Sequence, residues 1–245
     1  MRSIIIATGI CVVSLCGPVA AQVRLEIGVP SVRIGIDVPV YPTLAPVPGY
    51  PVYYAPQADA NLFFYDGLYW VYAQDRWYSS AWYNGPWITA ASNAVPLFVL
   101  RVPVGYYRRP PAYFVGWSLS APPRWDEHWG RSWAEHHVGW DHWDRRSSPA
   151  PAPLPSYQRA YSGSRYPMVD QQQVLRNQNY HYQPREALAR RQFEQSAGRG
   201  ADIAARVRAE HDSHSAPLNE PQRSRSPQPI PARNSVARNL SDGPA

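Results

Sequence analysis

The chain has 245 residues with no lysine, 24 arginines, 18 carboxylates and a formal net charge of +6. Its only cysteines, Cys11 and Cys16, lie in an N-terminal apolar run, so a chain cleaved beyond them has no thiol. That excludes a disulfide framework, a thiolate metal site and a cysteine nucleophile, while the missing lysine excludes a Walker loop and an S-x-x-K motif.

Arg2 followed by the apolar stretch from Ile4 to Leu15 has the pattern of a secretory signal peptide. The apolar core is too short to span a bilayer comfortably. Val19-Ala20-Ala21 offers the small residues that a signal peptidase reads, so cleavage is expected after Ala21. Leu15 before Cys16 and Ile10 before Cys11 are unsuited to lipidation, which needs a small residue there. The mature chain is expected in the periplasm or cell envelope, with no transmembrane span.

From Gln22, Val23, Leu25 and Ile27 alternate with polar residues, as do Val32, Ile34, Ile36 and Val38 beyond Pro30. Period two predicts a pair of half-buried strands. The segment 39–56 then interleaves prolines with Tyr41, Tyr50, Tyr53 and Tyr54. It is expected to run extended, either draped over an aromatic surface or as a plain linker.

Phe63-Phe64-Tyr65-Asp66-Gly67-Leu68-Tyr69-Trp70 is the strongest local signal. Asp-Gly between two aromatic runs is the dipeptide of a type I′ hairpin turn, in which both central residues take positive φ. Gln74-Asp75 predicts a second turn and Asn84-Gly85 a third, giving a meander of about four strands over 61–89. The run 95–104 is expected to cover it as a strand apolar on both faces.

Trp82-Tyr83-Asn84-Gly85-Pro86-Trp87 fits a W-x-x-G-x-W pattern. Together with Val47 to Tyr54, Phe64 to Trp70, Tyr106 to Pro111 and Pro122 to Trp125, it resembles uncharacterised Trp/Tyr-rich exported proteobacterial proteins. The resemblance implies export and a shared architecture, and it carries no established activity.

At about 100° per residue, Trp125, Trp129, Trp133, Trp140 and Trp143 fall within roughly 80° of one face, predicting a Trp-striped helix over 124–146. Such a stripe packs onto the domain or forms a ligand platform. The candidate ligand-binding set is Trp70, Trp77, Trp82, Trp87, Trp129 and Trp133. Of the nearby histidines, His128 and His142 are separated by about 21 Å along such a helix. The i, i+4 pair His137 and Asp141 is the remaining weak metal alternative.

Gly116-Trp117-Ser118-Leu119-Ser120 only approaches a nucleophile elbow. Asp66 and Asp75 suggest a glycosidase pair, yet the turn already accounts for Asp66. No cofactor is implied.

All ten tryptophans precede Arg145, whereas residues 145–245 hold 15 arginines against 8 carboxylates. A Pro/Ala linker opens at Ser147, helical pieces are expected at 169–179 and 185–208, and 217–245 has the composition of a disordered chain. The expected organisation is therefore a signal peptide (1–21), an aromatic-rich β domain (22–146) and a Pro/Arg-rich tail (147–245). The fold class is mainly β: a small aromatic-rich antiparallel meander with a Trp-striped helical segment, followed by a long disordered or partly helical tail.

The functional expectation is a non-enzymatic exported envelope protein, a structural or interaction module using exposed aromatics. Its candidate partners are envelope glycan, an anionic surface or another envelope protein. Nucleic acid is not expected, because export separates the basic tail from it. The alternative is a periplasmic hydrolase or metal-binding protein using the Asp and His of residues 126–144.

Overall fold

The computed structural model describes residues 36–215. The signal peptide, the first expected strand and the segment 217–245 lie outside the described residues. Of the second expected strand only its end is described, and Ile36 to Val38 form no strand. Val38 is buried, and its N–H donates to Asn84 Oδ1 at 2.8 Å.

Six consecutive antiparallel strands make one sheet in the order β1 to β6: Ala45–Pro46, Tyr53–Tyr54, Asn61–Tyr65, Leu68–Ala73, Arg76–Ser80 and Ile88–Ala90. The last four are the expected meander. Asp66 and Gly67 have φ of 49° and 84°, and Gln74 and Asp75 have φ of 49° and 61°, so both tight turns form as the sequence requires. Asn84-Gly85 differs. It lies in a longer connection from Ala81 to Trp87, where only Gly85 takes positive φ, at 86°. A Cβ on Gly85 would approach Trp87 Cδ1 to 2.9 Å, so the glycine admits the neighbouring indole.

The proline-rich segment supplies β1 and β2. Tyr53 pairs with Phe64 and Tyr54 with Phe63, which extends the sheet beyond the meander. The expected covering strand at 95–104 is instead a short helix, α1 (Leu97–Leu100), followed by a 3-10 turn at Val104–Tyr106. Pro96 and Pro103 bracket this run, and proline favours a helix start over a place within a sheet. Its apolar residues still cover the sheet, with Val95, Val99, Leu100, Val102 and Val104 all buried.

The expected continuous helix over 124–146 is broken. Helix α2 (Trp125–Trp129) and helix α3 (Arg131–His136) meet at Gly130, whose φ of 85° interrupts helical geometry. A second positive φ, 76° at Gly139, turns the chain again before Trp140.

The central strands alternate between two cores. Phe63, Tyr65, Trp70, Tyr72 and Trp77 face one side, where the segment from Val95 to Trp140 covers them. Leu62, Phe64, Tyr69, Val71 and Tyr78 face the other. Burial on both faces explains why the strands read as unbroken aromatic and aliphatic runs rather than as an alternation with polar residues.

The second face overturns the expected boundary near Arg146. Ala152 and Tyr180 belong to its core, and Leu154, Tyr157, Tyr166 and Tyr182 pack against it half-buried, so the chain beyond the Pro/Ala linker packs on the sheet. The tail is partly helical, with α4 (Val169–Asn179) and α5 (Ala187–Ser215). Its lack of tryptophan suggested that it had too little apolar surface to pack. Tyrosine supplies that surface, since a phenol buries a large ring while its hydroxyl meets a polar group. Helical residues outnumber strand residues among those described, so "mainly β" describes the central layer rather than the whole.

Candidate functional site

The tryptophans set aside as ligand contacts serve the core. Trp70, Trp77, Trp82, Trp87 and Trp133 are buried, and Trp129 is half-buried with its ring stacked on Trp125 at 4.4 Å. An exposed aromatic platform is therefore not built from them. Trp125 is fully buried and donates from Nε1 to Leu100 O at 2.9 Å, tying α2 to α1. Trp82, the first tryptophan of the W-x-x-G-x-W run, is ringed by Tyr157, Tyr161 and Tyr166 at 5.6, 5.7 and 5.8 Å, each edge-on. The motif is a socket for the tail.

The weak metal pair is not assembled. His137 stacks on Trp133 at 4.2 Å with Nδ1 2.7 Å from the Trp133 carbonyl, whereas Asp141 lies beside the neighbouring His142 at 2.7 Å. Among the described residues no three His, Cys, Asp or Glu side chains converge as a metal site. Of the remaining groups in 126–144, His136 meets the Ser132 carbonyl, Glu127 meets Arg124 and Asp144 caps a 3-10 turn.

His128 finds a partner far outside that stretch. Its Nε2 lies 2.7 Å from Asp75 Oδ1, which also accepts from the Tyr72 hydroxyl at 2.6 Å and the Tyr113 hydroxyl at 3.0 Å. The imidazole stacks flat on the Tyr113 ring, 4.1 Å between centroids. Partial burial pushes the Asp75 carboxyl up, but the three donors outweigh it and hold the group below its ordinary value. The cluster latches the β4–β5 turn to α2. Asp66 and Asp75 do not form a facing glycosidase pair, because each is committed to its own set of donors.

A cleft of about 350 Å³ lies where β3, α1 and the start of α5 meet, lined by Tyr65, Asp66, Leu97, Phe98, Arg101, Pro149, Arg185 and Glu186. The Asp66 carboxylate is turned inward. It accepts the backbone N–H groups of Arg185 at 2.8 Å and Glu186 at 2.7 Å, and the Tyr182 hydroxyl at 2.6 Å. A hairpin-turn residue thus caps the mouth of α5, where the helix dipole favours negative charge.

Glu186 is anchored in the same way. Its side chain accepts the Tyr65 hydroxyl at 2.6 Å and the Leu97 backbone N–H. Burial raises its pKa above the ordinary value, against the lowering effect of the Tyr65 hydrogen bond and with a further push from nearby Asp66.

Arg101 is the buried cation of the cleft, 8% exposed. It donates from Nε to Trp140 O at 2.6 Å and from Nη2 to Gly139 O at 2.8 Å, and lies 5.3 Å from the Phe98 ring and 4.8 Å from that of Trp143. Arg185 is exposed; its guanidinium reaches the Tyr182 hydroxyl at 2.9 Å and the Ala150 carbonyl.

Sequence reasoning missed this constellation. A lone arginine inside the apolar run Leu97-Phe98-Val99-Leu100-Arg101-Val102 was a usable signal. The approach of Arg185 and Glu186 to Asp66, across about half the chain, left none. Among the described residues no helix is long and apolar enough to cross a membrane. Compared with protein-family models, curated proteins and solved structures, the chain matches none.

Proposed function

We propose that the chain is an exported, non-catalytic binding module of the bacterial cell envelope, and that recognition takes place in the cleft rather than on exposed indoles. The observation that carries this reading is the state of the cleft's two carboxylates. Asp66 and Glu186 are bonded to backbone amides and tyrosine hydroxyls, so a proton shuttled by either would disrupt a helix mouth. What remains is an apolar recess with guanidinium groups, which suits holding rather than transforming a ligand. The N-terminal charge, short apolar core and small-residue cleavage pattern support export.

Cell fractionation with N-terminal sequencing tests the location, the expected product being an envelope protein that begins at Gln22. Recovery with Met1 intact in the cytoplasm contradicts it. Co-sedimentation of the mature chain with purified envelope fragments, at low and high salt, tests the module. Retention is expected to include a salt-resistant part, and no retention under any condition removes the binding role.

A further inference from the structure

We propose that the cleft between α1 and the mouth of α5 is a site for a small amphipathic anion, a carboxylate carried on an apolar or aromatic body. This rests on the binding-module reading and adds the ligand's chemical class.

Charge and geometry both point this way. Arg101 is more than nine-tenths buried, and among the described residues no carboxylate lies within 4.0 Å of its guanidinium. Two backbone carbonyls take two of its five N–H groups. Carbonyls and aromatic faces offset only part of the cost of burying a cation, and a carboxylate does so best through charge-assisted hydrogen bonds. Arg185 stands at the same cleft, its Nε 3.9 Å from the Asp66 carboxylate, and with its side chain 54% exposed it offers a second guanidinium to an incoming anion. Burial also holds Arg101 below its ordinary pKa, against the opposing pull of Glu186 and Asp141.

The negative groups of the cleft already hold donors of their own. Asp66 serves the amides of Arg185 and Glu186, and Glu186 serves Tyr65 and Leu97. A cationic ligand would meet two guanidiniums and two carboxylates that already hold their donors. A neutral one would leave Arg101 as it stands. Leu97, Phe98 and Pro149 supply an apolar wall, and about 350 Å³ falls at the small end of ligand pockets.

The test is calorimetric titration of the full-length chain with octanoate, benzoate, octylamine and octanol, with tryptophan emission followed because Trp143 lies against Arg101. Octanoate represents an acyl chain and benzoate an aromatic body. Saturable one-to-one binding of at least one anion is expected, with octylamine and octanol at least tenfold weaker. Arg185→Gln should weaken the anion about tenfold, and Phe98→Ala should weaken it by a similar factor; Arg191→Gln, exposed on α5, should leave it unchanged. Arg185 is the chosen position because Arg101 also holds the Gly139–Trp140 turn, and circular dichroism confirms that each variant is folded. Absence of saturable anion binding, equal binding of octylamine, or unchanged affinity in Arg185→Gln overturns the assignment. Retention of the same protein on envelope fragments is measured in parallel. Retention without anion binding overturns the ligand class alone, whereas loss of both overturns the module reading as well.

Discussion

Asp66 accepts the backbone N–H of Glu186 at 2.7 Å across 120 positions of sequence, so the tip of the β3–β4 hairpin and the mouth of α5 are one structural unit. Around it, Gly67 gives its carbonyl to the buried Arg176, and a Cβ on Gly67 would approach the Tyr182 ring to 3.1 Å. The hairpin turn and the tail are therefore shaped for each other.

Replacing Asp66 by glycine keeps the positive φ but removes the cap. The expected cost is about 0.5–2 kcal/mol, the usual range for losing a capping side chain. Asp66→Asn retains an acceptor and tolerates the same backbone, so it should cost less. Urea denaturation midpoints of the two variants check the order, and equal midpoints would show that the amides at the mouth of α5 are satisfied some other way.

The carboxyls of Asp75 and Glu186 should give opposite pH dependences. Asp75 is held below its ordinary value, so its contribution to stability is present above that value and is lost as pH falls through the lowered one. Asp75→Asn keeps the left-handed turn and should flatten the acid limb of a stability curve measured from about pH 2 to 6.

Glu186 is raised, so its contribution is complete below the ordinary carboxyl range and is lost as pH rises through the raised value. Glu186→Gln should therefore lessen the decline in stability above about pH 4.5. A variant curve parallel to that of the native protein would contradict the shift.

Trp125 and Trp129 separate packing from surface exposure on one short helix. Trp125→Phe leaves the buried Leu100 carbonyl without its donor and opens space in the core, an expected loss of about 2–4 kcal/mol. Trp129→Phe changes a half-buried stacked ring and should cost about 1 kcal/mol. Thermal or urea unfolding distinguishes the two, and comparable losses would show that both indoles are equally embedded.

Limited proteolysis should yield a protected fragment that extends beyond Gln192, whose side chain accepts from Ser79 on β5 at 3.0 Å. A chain ending at Arg146 would uncover Phe64, Tyr69, Val71 and Tyr78 and should bind a hydrophobic dye strongly or aggregate. Stable, dye-free behaviour of that shorter chain would restore the earlier boundary.

Local chemistry made the meander readable. Asp66-Gly67 and Gln74-Asp75 sit between aromatic runs, and the positive φ of a tight turn depends on the residues that occupy it. Even so, the same reasoning misjudged Asn84-Gly85, because Tyr166 decides that segment from a distance: its hydroxyl accepts the Asn84 N–H and donates to the Gly85 carbonyl. The Trp stripe was legible as one helical face, core or platform left open, but Gly130 broke it into two helices.

Tertiary structure alone decided the second face of the sheet and the cleft. Runs such as Leu68-Tyr69-Trp70-Val71-Tyr72 show that both faces need covering, but not which segment covers them. Pairings such as Tyr69 with Gln158, Ser79 with Gln192 and Asp66 with Glu186 join residues about 90 to 120 positions apart. A hydrogen bond across that distance leaves no periodicity in the sequence, because its geometry exists only once both partners have been brought together by burial of the surrounding rings.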